Sequence, residues 1–307
     1  MRTVFLGTSD FAAAVLGRLA GEDAAHARHR PQLVLTRPDR PAGRGRKLTS
    51  PAVAEAARRL DIELAQPESV NHPAVRELIA GASPAAVIVC AFGALVKEPL
   101  LSDYELLNVH PSLLPRWRGA APIERAMIAG DERTGVSIMR LTAGLDSGPV
   151  CAALGEPIRP GDTYGSLAAR LERLGGDLLV EALDTLDRGE PLPFADQDDE
   201  LATYAEKIAA PDRLLDPARP ALELERVVRA LSPHIGARVA LSDGTLLGVQ
   251  RAVLAQAPPS LAPGVQASDG RLLLGCAQGA LELLLVQPPG KRPMEAGAFL
   301  RGHGLPA

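Results

Sequence analysis

The sequence predicts an α/β fold over its first two thirds and a small all-β fold over its last third. Three observations carry this. Up to about residue 186, short apolar runs alternate with helical stretches, the pattern of strands joined by helices that cover a mostly parallel sheet. Beyond residue 208 that alternation stops, and apolar runs follow one another across turn signals such as Ser242-Asp243-Gly244 and Ser268-Asp269-Gly270. Between the two, residues 189–199 are rich in Pro and acid, the composition of a linker. The expectation is a Rossmann-like, mostly parallel domain over 1–189, a linker over 190–207, and a small antiparallel β-barrel of OB-like kind over 208–307.

Residues 3–6 form a short buried strand. Gly7-Thr8-Ser9-Asp10 then turns into a helix, in which Ser9 or Asp10 can cap the first N–H groups and Phe11, Val15 and Leu19 share one face. Strands follow at 33–36 and 62–64, separated by a helix at 52–60 that opens after Pro51. A helix at 73–80 leads to the continuous apolar strand Ala86–Cys90, and a further strand runs over Leu106–His110. A helix at 123–129 and strands at 136–141 and 150–154 come next. Residues 164–186 read as one long helical stretch, weakened at Gly175-Gly176 because glycine costs helix stability. In the last third, a helix at 222–231 precedes strands at 237–241, 246–254, 272–274 and 281–286.

Composition narrows the function classes. No apolar run reaches the roughly 18 residues that a membrane span needs. The N-terminus enters a strand at once, so no secretory leader is expected, and the setting predicted is the cytoplasm. Cys90, Cys151 and Cys276 are odd in number and far apart, which argues against a disulfide framework or a zinc site. The net charge of −4 gives no sign of nucleic acid, but its distribution is uneven. Residues 190–207 carry −5, whereas 208–307 carry +2. With no exposed heptad or apolar stripe, a monomer is expected.

Several residue groups could do chemistry. Asn108 and His110 lie two apart on a strand and so share a face near its carboxyl end, where open α/β sheets place ligands. Taken alone, the pair reads first as a strand-end amide and a satisfied histidine. The histidines at 26, 29, 72, 234 and 303 have no such setting and are expected at the surface. Asp146 lies within Gly144-Leu145-Asp146-Ser147-Gly148-Pro149, a tight loop that could deliver one carboxylate into a cleft or bond its own turn. Residues 36–48 hold Arg37, Arg40, Arg44, Arg46 and Lys47 against Asp39 alone. Gly43 and Gly45 loosen this loop, Pro38 and Pro41 keep it from being helical, and its guanidinium groups suit bidentate phosphate contacts.

The run Asn108-Val-His-Pro-Ser-Leu-Leu-Pro-Arg-Trp-Arg-Gly-Ala-Ala-Pro-Ile123 is too long a match for chance. It resembles the folate-dependent formyltransferases. Finer matches are to the branch of that family that acts on aminoacyl-tRNA. Residues 5–12 resemble its first strand and turn, 36–48 a loop by which it grips tRNA, 203–207 its interdomain segment, and 287–291 part of its C-terminal barrel. The likeness runs from about residue 2 to 300, strongest over 105–150 and weaker beyond 210. Ser147 departs mildly from the family's usual Asp-Thr-Gly.

The resemblance implies transfer of a formyl group from 10-formyltetrahydrofolate, bound as donor substrate, to the α-amine of methionyl-initiator tRNA. It implies Asn108, His110 and Asp146 at the formyl carbon, Ser112, Leu113, Leu114 and Pro115 along the folate, and Arg37, Arg40, Arg44, Arg46 and Lys47 on the tRNA. Side chains would supply all the charge stabilisation, so no metal is implied. Asp146 could either stabilise an imidazolium at His110 or act as base, and both roles stay open.

Rival readings differ in what they need. A family member acting on a purine precursor or nucleotide sugar would share the triad and the folate loop but not need both the basic loop and the barrel. A nicotinamide dehydrogenase needs Gly-x-Gly-x-x-Gly after the first strand, and Gly7-Thr8-Ser9-Asp10-Phe11 lacks the second glycine. A noncatalytic RNA-binding barrel would be expected to carry more charge than +2.

Overall fold

A computed structural model describes residues 1–21, 29–42, 47–256 and 261–305. Its backbone begins as the apolar runs dictate. Thr3–Gly7 (β1) is wholly buried, and Ser9 accepts a hydrogen bond from the Ala12 N–H at 3.2 Å, capping Asp10–Ala20 (α1). Pro31–Leu35 (β2) follows. The short hairpin Arg40–Ala42 (β3) and Lys47–Thr49 (β4) leads into Ala52–Arg59 (α2) and Glu63–Ala65 (β5). Pro73–Gly81 (α3), Ala86–Cys90 (β6), Leu100–Asp103 (α4) and Leu106–His110 (β7) come next. The two-residue strand Arg118–Gly119 (β8), the helix Pro122–Ala129 (α5), and the long strands Arg133–Arg140 (β9) and Val150–Pro157 (β10) precede Tyr164–Asp187 (α6).

The chain divides into two units. The first comprises Met1–Ala120, Thr134–Pro157 and Ala168–Ala205. Its seven-stranded sheet has the order β10-β9-β7-β6-β1-β2-β5. Pairings from β7 through β6 and β1 to β2 and β5 are parallel, and β9 runs antiparallel to β7, so the sheet is mostly parallel with a reversed margin. Alternation sorts the strand residues onto two faces. Val4, Leu33, Val87 and Leu106 join Ile79 of α3 and Leu100 of α4 in one core cluster.

On the opposite face lies α6, which runs unbroken through Gly175-Gly176 where the sequence predicted a weak point. Close packing explains it. A Cβ at Gly175 would sit 3.0 Å from Val109 Cγ1 and 3.3 Å from Val136 Cγ1, and one at Gly176 would sit 2.6 Å from Arg18 Cγ. The two glycines let the helix lie directly on β7, β9 and α1, and burial there outweighs their helix penalty. Arg18 Nε also donates to Asp177 Oδ1 at 2.7 Å.

One surface expectation changes. His29 is fully buried, with Nε2 2.7 Å from Asp184 Oδ1, because a buried ring nitrogen needs a partner and α6 supplies one. His72 stays at the surface as expected, where it accepts the Ala74 N–H and caps α3.

The second unit comprises Ala121–Arg133, Ile158–Leu167 and Glu206–Ala307. Tyr204–Ala205 (β11) of the first unit leads into it. It holds Ala221–Ala230 (α7), Ala237–Ala240 (β12), Leu246–Ala255 (β13), Gly264–Ser268 (β14), Arg271–Gly275 (β15), Ala280–Gln287 (β16), Met294–Glu295 (β17) and Ala296–Gly302 (α8). The strand order is β12-β13-β16-β15-β14, with β17 on β16 and every pairing antiparallel. A register shift around Arg251 bends β13, and the end strands β12 and β14 approach each other, so the sheet curls into a half-barrel. Leu224 and Val228 of α7 fill its hollow against Val239, Leu247, Leu274 and Leu283. Helix α5 packs on α7, and Arg125 clamps Asp212 through two hydrogen bonds of 3.0 Å. Among the described residues, no helix is long and apolar enough to cross a membrane.

Candidate active site

The site is built on β7, within the first unit. Its strand pattern puts Leu107 and Val109 against the sheet's α6 face and turns Asn108 and His110 to the other. Both polar side chains are buried, at 7% and 4% exposure, so their polar atoms need partners.

Asp146 supplies several. It follows β9 in the loop before β10 and adopts φ +46°, a left-handed conformation that costs energy for a residue with a Cβ. Asn108 Nδ2 lies 3.4 Å from Asp146 Oδ1, and His110 Nδ1 lies 3.7 Å from Asp146 Oδ2. The Gly119 N–H donates to Oδ2 at 2.8 Å. The structure thus brings together the three residues picked out of separate stretches of sequence.

Bonding also fixes the state of His110. Its Nε2 lies 2.9 Å from the Trp117 carbonyl, which can only accept, so Nε2 carries the hydrogen. Nδ1 faces Asp146. The 3.7 Å gap is wider than a hydrogen bond, as is common before a substrate draws catalytic groups together.

Residues 112–116 turn away from the end of β7 as a pinned loop. Ser112 Oγ donates to the Arg116 carbonyl at 2.6 Å. Ser137 Oγ, opposite His110 in register, donates to the Ser112 carbonyl at 2.8 Å and accepts the Leu114 N–H at 3.2 Å. Ser112 is itself buried, while Leu113, Leu114 and Pro115 are half-buried.

Residues 194–205, in the same unit, pack against this site. Phe194 takes the Arg140 guanidinium over its ring at 4.0 Å, and Ala195 bridges to Val150. Gln197 Nε2 donates to the carbonyls of Asp146 and Gly148. Arg118, 3% exposed, donates to Gln197 and to Asp199. Thr203 Oγ1 accepts the Trp117 N–H at 2.9 Å, and β11 pairs in parallel with β8. Gln197, Asp199, Ser137 and the backbone groups of Trp117 and Gly119 escaped the sequence reading. A backbone donor leaves no side-chain signal. Residues 203–205 stood out only as a resemblance, with no role at this site.

The basic segment forms a hairpin in which Arg40 pairs with Thr49 and Pro41 with Leu48. Its base is tied down: Arg37 donates to the Glu68 carbonyl at 2.7 Å, and Asp39 accepts from Gln66 at 2.7 Å and Ser50 at 3.0 Å. Those bonds hold the Asp39 carboxyl below its ordinary range. Arg40 is exposed, Lys47 begins β4, and Arg44 and Arg46 lie outside the described residues. The cysteines offer no nucleophile near neutral pH. Burial pushes the thiols of Cys151 and Cys276 up to about 11 and that of Cys90 higher still.

The chain matches two family models, Formyl transferase over residues 1–183 and Formyl transferase, C-terminal domain, over 207–304. It is 42% identical over 312 residues to the methionyl-tRNA formyltransferase of Cereibacter sphaeroides strain ATCC 17025, covering 100% of this chain and 97% of that one. It is 42% identical to that of Halorhodospira halophila over 307 residues, covering 99% and 97%. Among solved structures it is similar to HypX from Aquifex aeolicus in complex with tetrahydrofolic acid, at a TM-score of 0.67 and 18% identity. That likeness is one of fold and covers 98% of this chain but only 47% of HypX.

Proposed function

The chain belongs to the formyl transferase family, and on that premise we propose that it moves the formyl group of 10-formyltetrahydrofolate to the α-amine of methionyl-initiator tRNA. The product is the N-formylmethionyl-tRNA that starts bacterial-type translation in the cytoplasm. The observation that carries the chemistry is the meeting of Asn108, His110 and Asp146 within 3.4–3.7 Å on one face of β7. The acceptor assignment rests on relatives that match the chain from end to end.

In the proposed reaction, the neutral amine attacks the formyl carbon and the carbonyl oxygen becomes an oxyanion. Asn108 Nδ2 donates one hydrogen bond to it, and His110, protonated at Nδ1, donates a second. Donors fixed where charge develops are usually the largest catalytic contribution. Asp146 balances the imidazolium, takes the amine's proton, and hands it to the folate nitrogen as the C–N bond breaks. Ser112, Leu113, Leu114 and Pro115 line the folate. The region 1–189 carries the chemistry and 208–307 serves as the tRNA-binding barrel, joined by 190–207. The basic stretch 36–48, with Arg37, Arg40, Arg44, Arg46 and Lys47, grips tRNA phosphates.

The test offers 10-formyltetrahydrofolate with methionyl-initiator tRNA, glycinamide ribonucleotide or an amino-sugar nucleotide. Formyl on the tRNA alone is the expected outcome. Formyl on a small molecule alone would leave the triad standing and remove the tRNA assignment.

A further inference from the structure

We propose that Gln197 is a positioning residue for formyl transfer, holding Asp146 in its working conformation from outside the triad. This rests on the catalytic role of Asp146 proposed above.

The case starts from strain. Asp146 sits at φ +46° without being glycine, so the loop needs external bonds to stay there. Gln197 provides them, with Nε2 donating to the Asp146 carbonyl at 2.9 Å and to the Gly148 carbonyl at 2.7 Å. Both hydrogens of one amide are thereby spent on the two carbonyls that flank Ser147.

The amide's orientation is not free. Gln197 Oε1 accepts from Arg118 Nε at 3.0 Å, and an arginine can only donate, so the oxygen must face Arg118 and the NH₂ must face the loop. The buried Arg118 is itself held by Asp199, at 2.7 Å from NH2 to Oδ1. Its neighbour Gly119 donates its N–H to Asp146 Oδ2 at 2.8 Å. Strand β8 therefore grips Asp146 twice: through Gly119 at the carboxylate and through Arg118 and Gln197 at the backbone carbonyl. These contacts tie Asp146 to β8 at both ends, with its carboxylate facing Asn108 and His110.

Gln197→Met keeps the length of the side chain and removes both donors. A misplacement of about 1 Å at a catalytic group can cost on the order of 100-fold in rate. The expected result is a fall in kcat of about 10- to 100-fold, with KM for donor and for methionyl-tRNA within about twofold of the parent. Asp199→Asn, a change at an exposed side chain, should lower kcat about two- to fivefold in the same pattern and serves if the first variant folds poorly. Asp146→Asn is the reference. In that background Gln197→Met should add less than about twofold, because groups that act through one another are non-additive. Equal losses in both backgrounds, or normal kcat for Gln197→Met beside a crippled Asp146→Asn, would overturn the proposal. Full activity in Asp146→Asn would instead remove the reading of the triad on which it rests.

Discussion

Replacing Asn108 by Ala separates catalysis from folding, because the structure limits what else the change can do. Asn108 is 7% exposed and contributes one amide near Asp146 Oδ1, at 3.4 Å. Asp146 keeps its 2.8 Å bond from Gly119 on the other oxygen, and no charge is left unpaired. The loss is one oxyanion donor, worth roughly 2.7–4 kcal/mol in the transition state, or about 100- to 1,000-fold in kcat. KM for methionyl-tRNA should hold, since the amide meets charge that exists only once the amine has attacked. Asn108→Asp sharpens the test. Two carboxylates 3.4 Å apart repel by about 5 kcal/mol at an effective dielectric near 20, so the pair retains one proton into a higher pH range. A protonated Asp at 108 could still donate to the oxyanion, and an ionised one could not. Residual activity of Asn108→Asp should therefore rise as pH falls, opposite to any loss of activity in the parent at low pH. The assay is single-turnover transfer of labelled formyl to methionyl-tRNA across pH. An alanine variant within about threefold of the parent would refute a role for Asn108 at the oxyanion.

Other outcomes follow from individual contacts. The hydrogen bonds from Arg125 hold the Asp212 carboxyl below its usual value. A depressed folded value means this stabilisation is complete above about pH 4 and is lost as pH falls through it. Asp212→Asn should lower the thermal midpoint by a few degrees at pH 7, for about 1 kcal/mol, and the gap should narrow as pH falls below about 4. A gap unchanged with pH would mean the pair contributes nothing through charge. A Cβ at Gly148 would lie 1.9 Å from the Arg140 carbonyl oxygen, so Gly148→Ala must displace the Asp146 loop and lower kcat about tenfold or more, and unimpaired kcat would show the loop's shape to be immaterial. Replacing both Arg44 and Arg46 by Ala should flatten the salt dependence of tRNA affinity by a log–log slope of about 1.5, as for two lost phosphate contacts. An unchanged slope would take the hairpin off the phosphates.

Most of the fold was legible because the strands carry their own signal. Ala86–Cys90 and Leu106–His110 match the expected bounds, and the switch to antiparallel pairing beyond residue 208 shows in the closely spaced apolar runs. Elements without such runs escaped. β14 is Gly264-Val-Gln-Ala-Ser, β17 has two residues, and β3 with β4 is held by pairing and not by apolar content. The long course of α6 was legible, but Gly175 and Gly176 read as a weak point until their close neighbours are known. At the site, Asn108, His110 and Asp146 could be picked out by residue type and loop chemistry. Gln197 could not. It stands in an acidic, Pro-rich stretch that reads as a linker, and its importance comes only from where that stretch packs.

The reversed margin of the sheet explains why such a brace is needed at all. Arg140 lies opposite Leu107 and Ser137 opposite His110, so β9 leaves the sheet at the amino end of β7, away from the strand end where His110 sits. A loop that simply crossed to β10 would carry Asp146 off in that direction. Instead the chain doubles back over the Asn108 face, closed at its base by the Arg140 N–H on the Pro149 carbonyl at 2.9 Å. Its tip is held there by Gly119 and Asn108 through the carboxylate and by Gln197 through the backbone. Parallel topology delivers Asn108 and His110 to the site at no extra cost. The antiparallel margin delivers Asp146 only if something outside the sheet pulls its loop over, and Gln197, on the stretch returning from α6, does so.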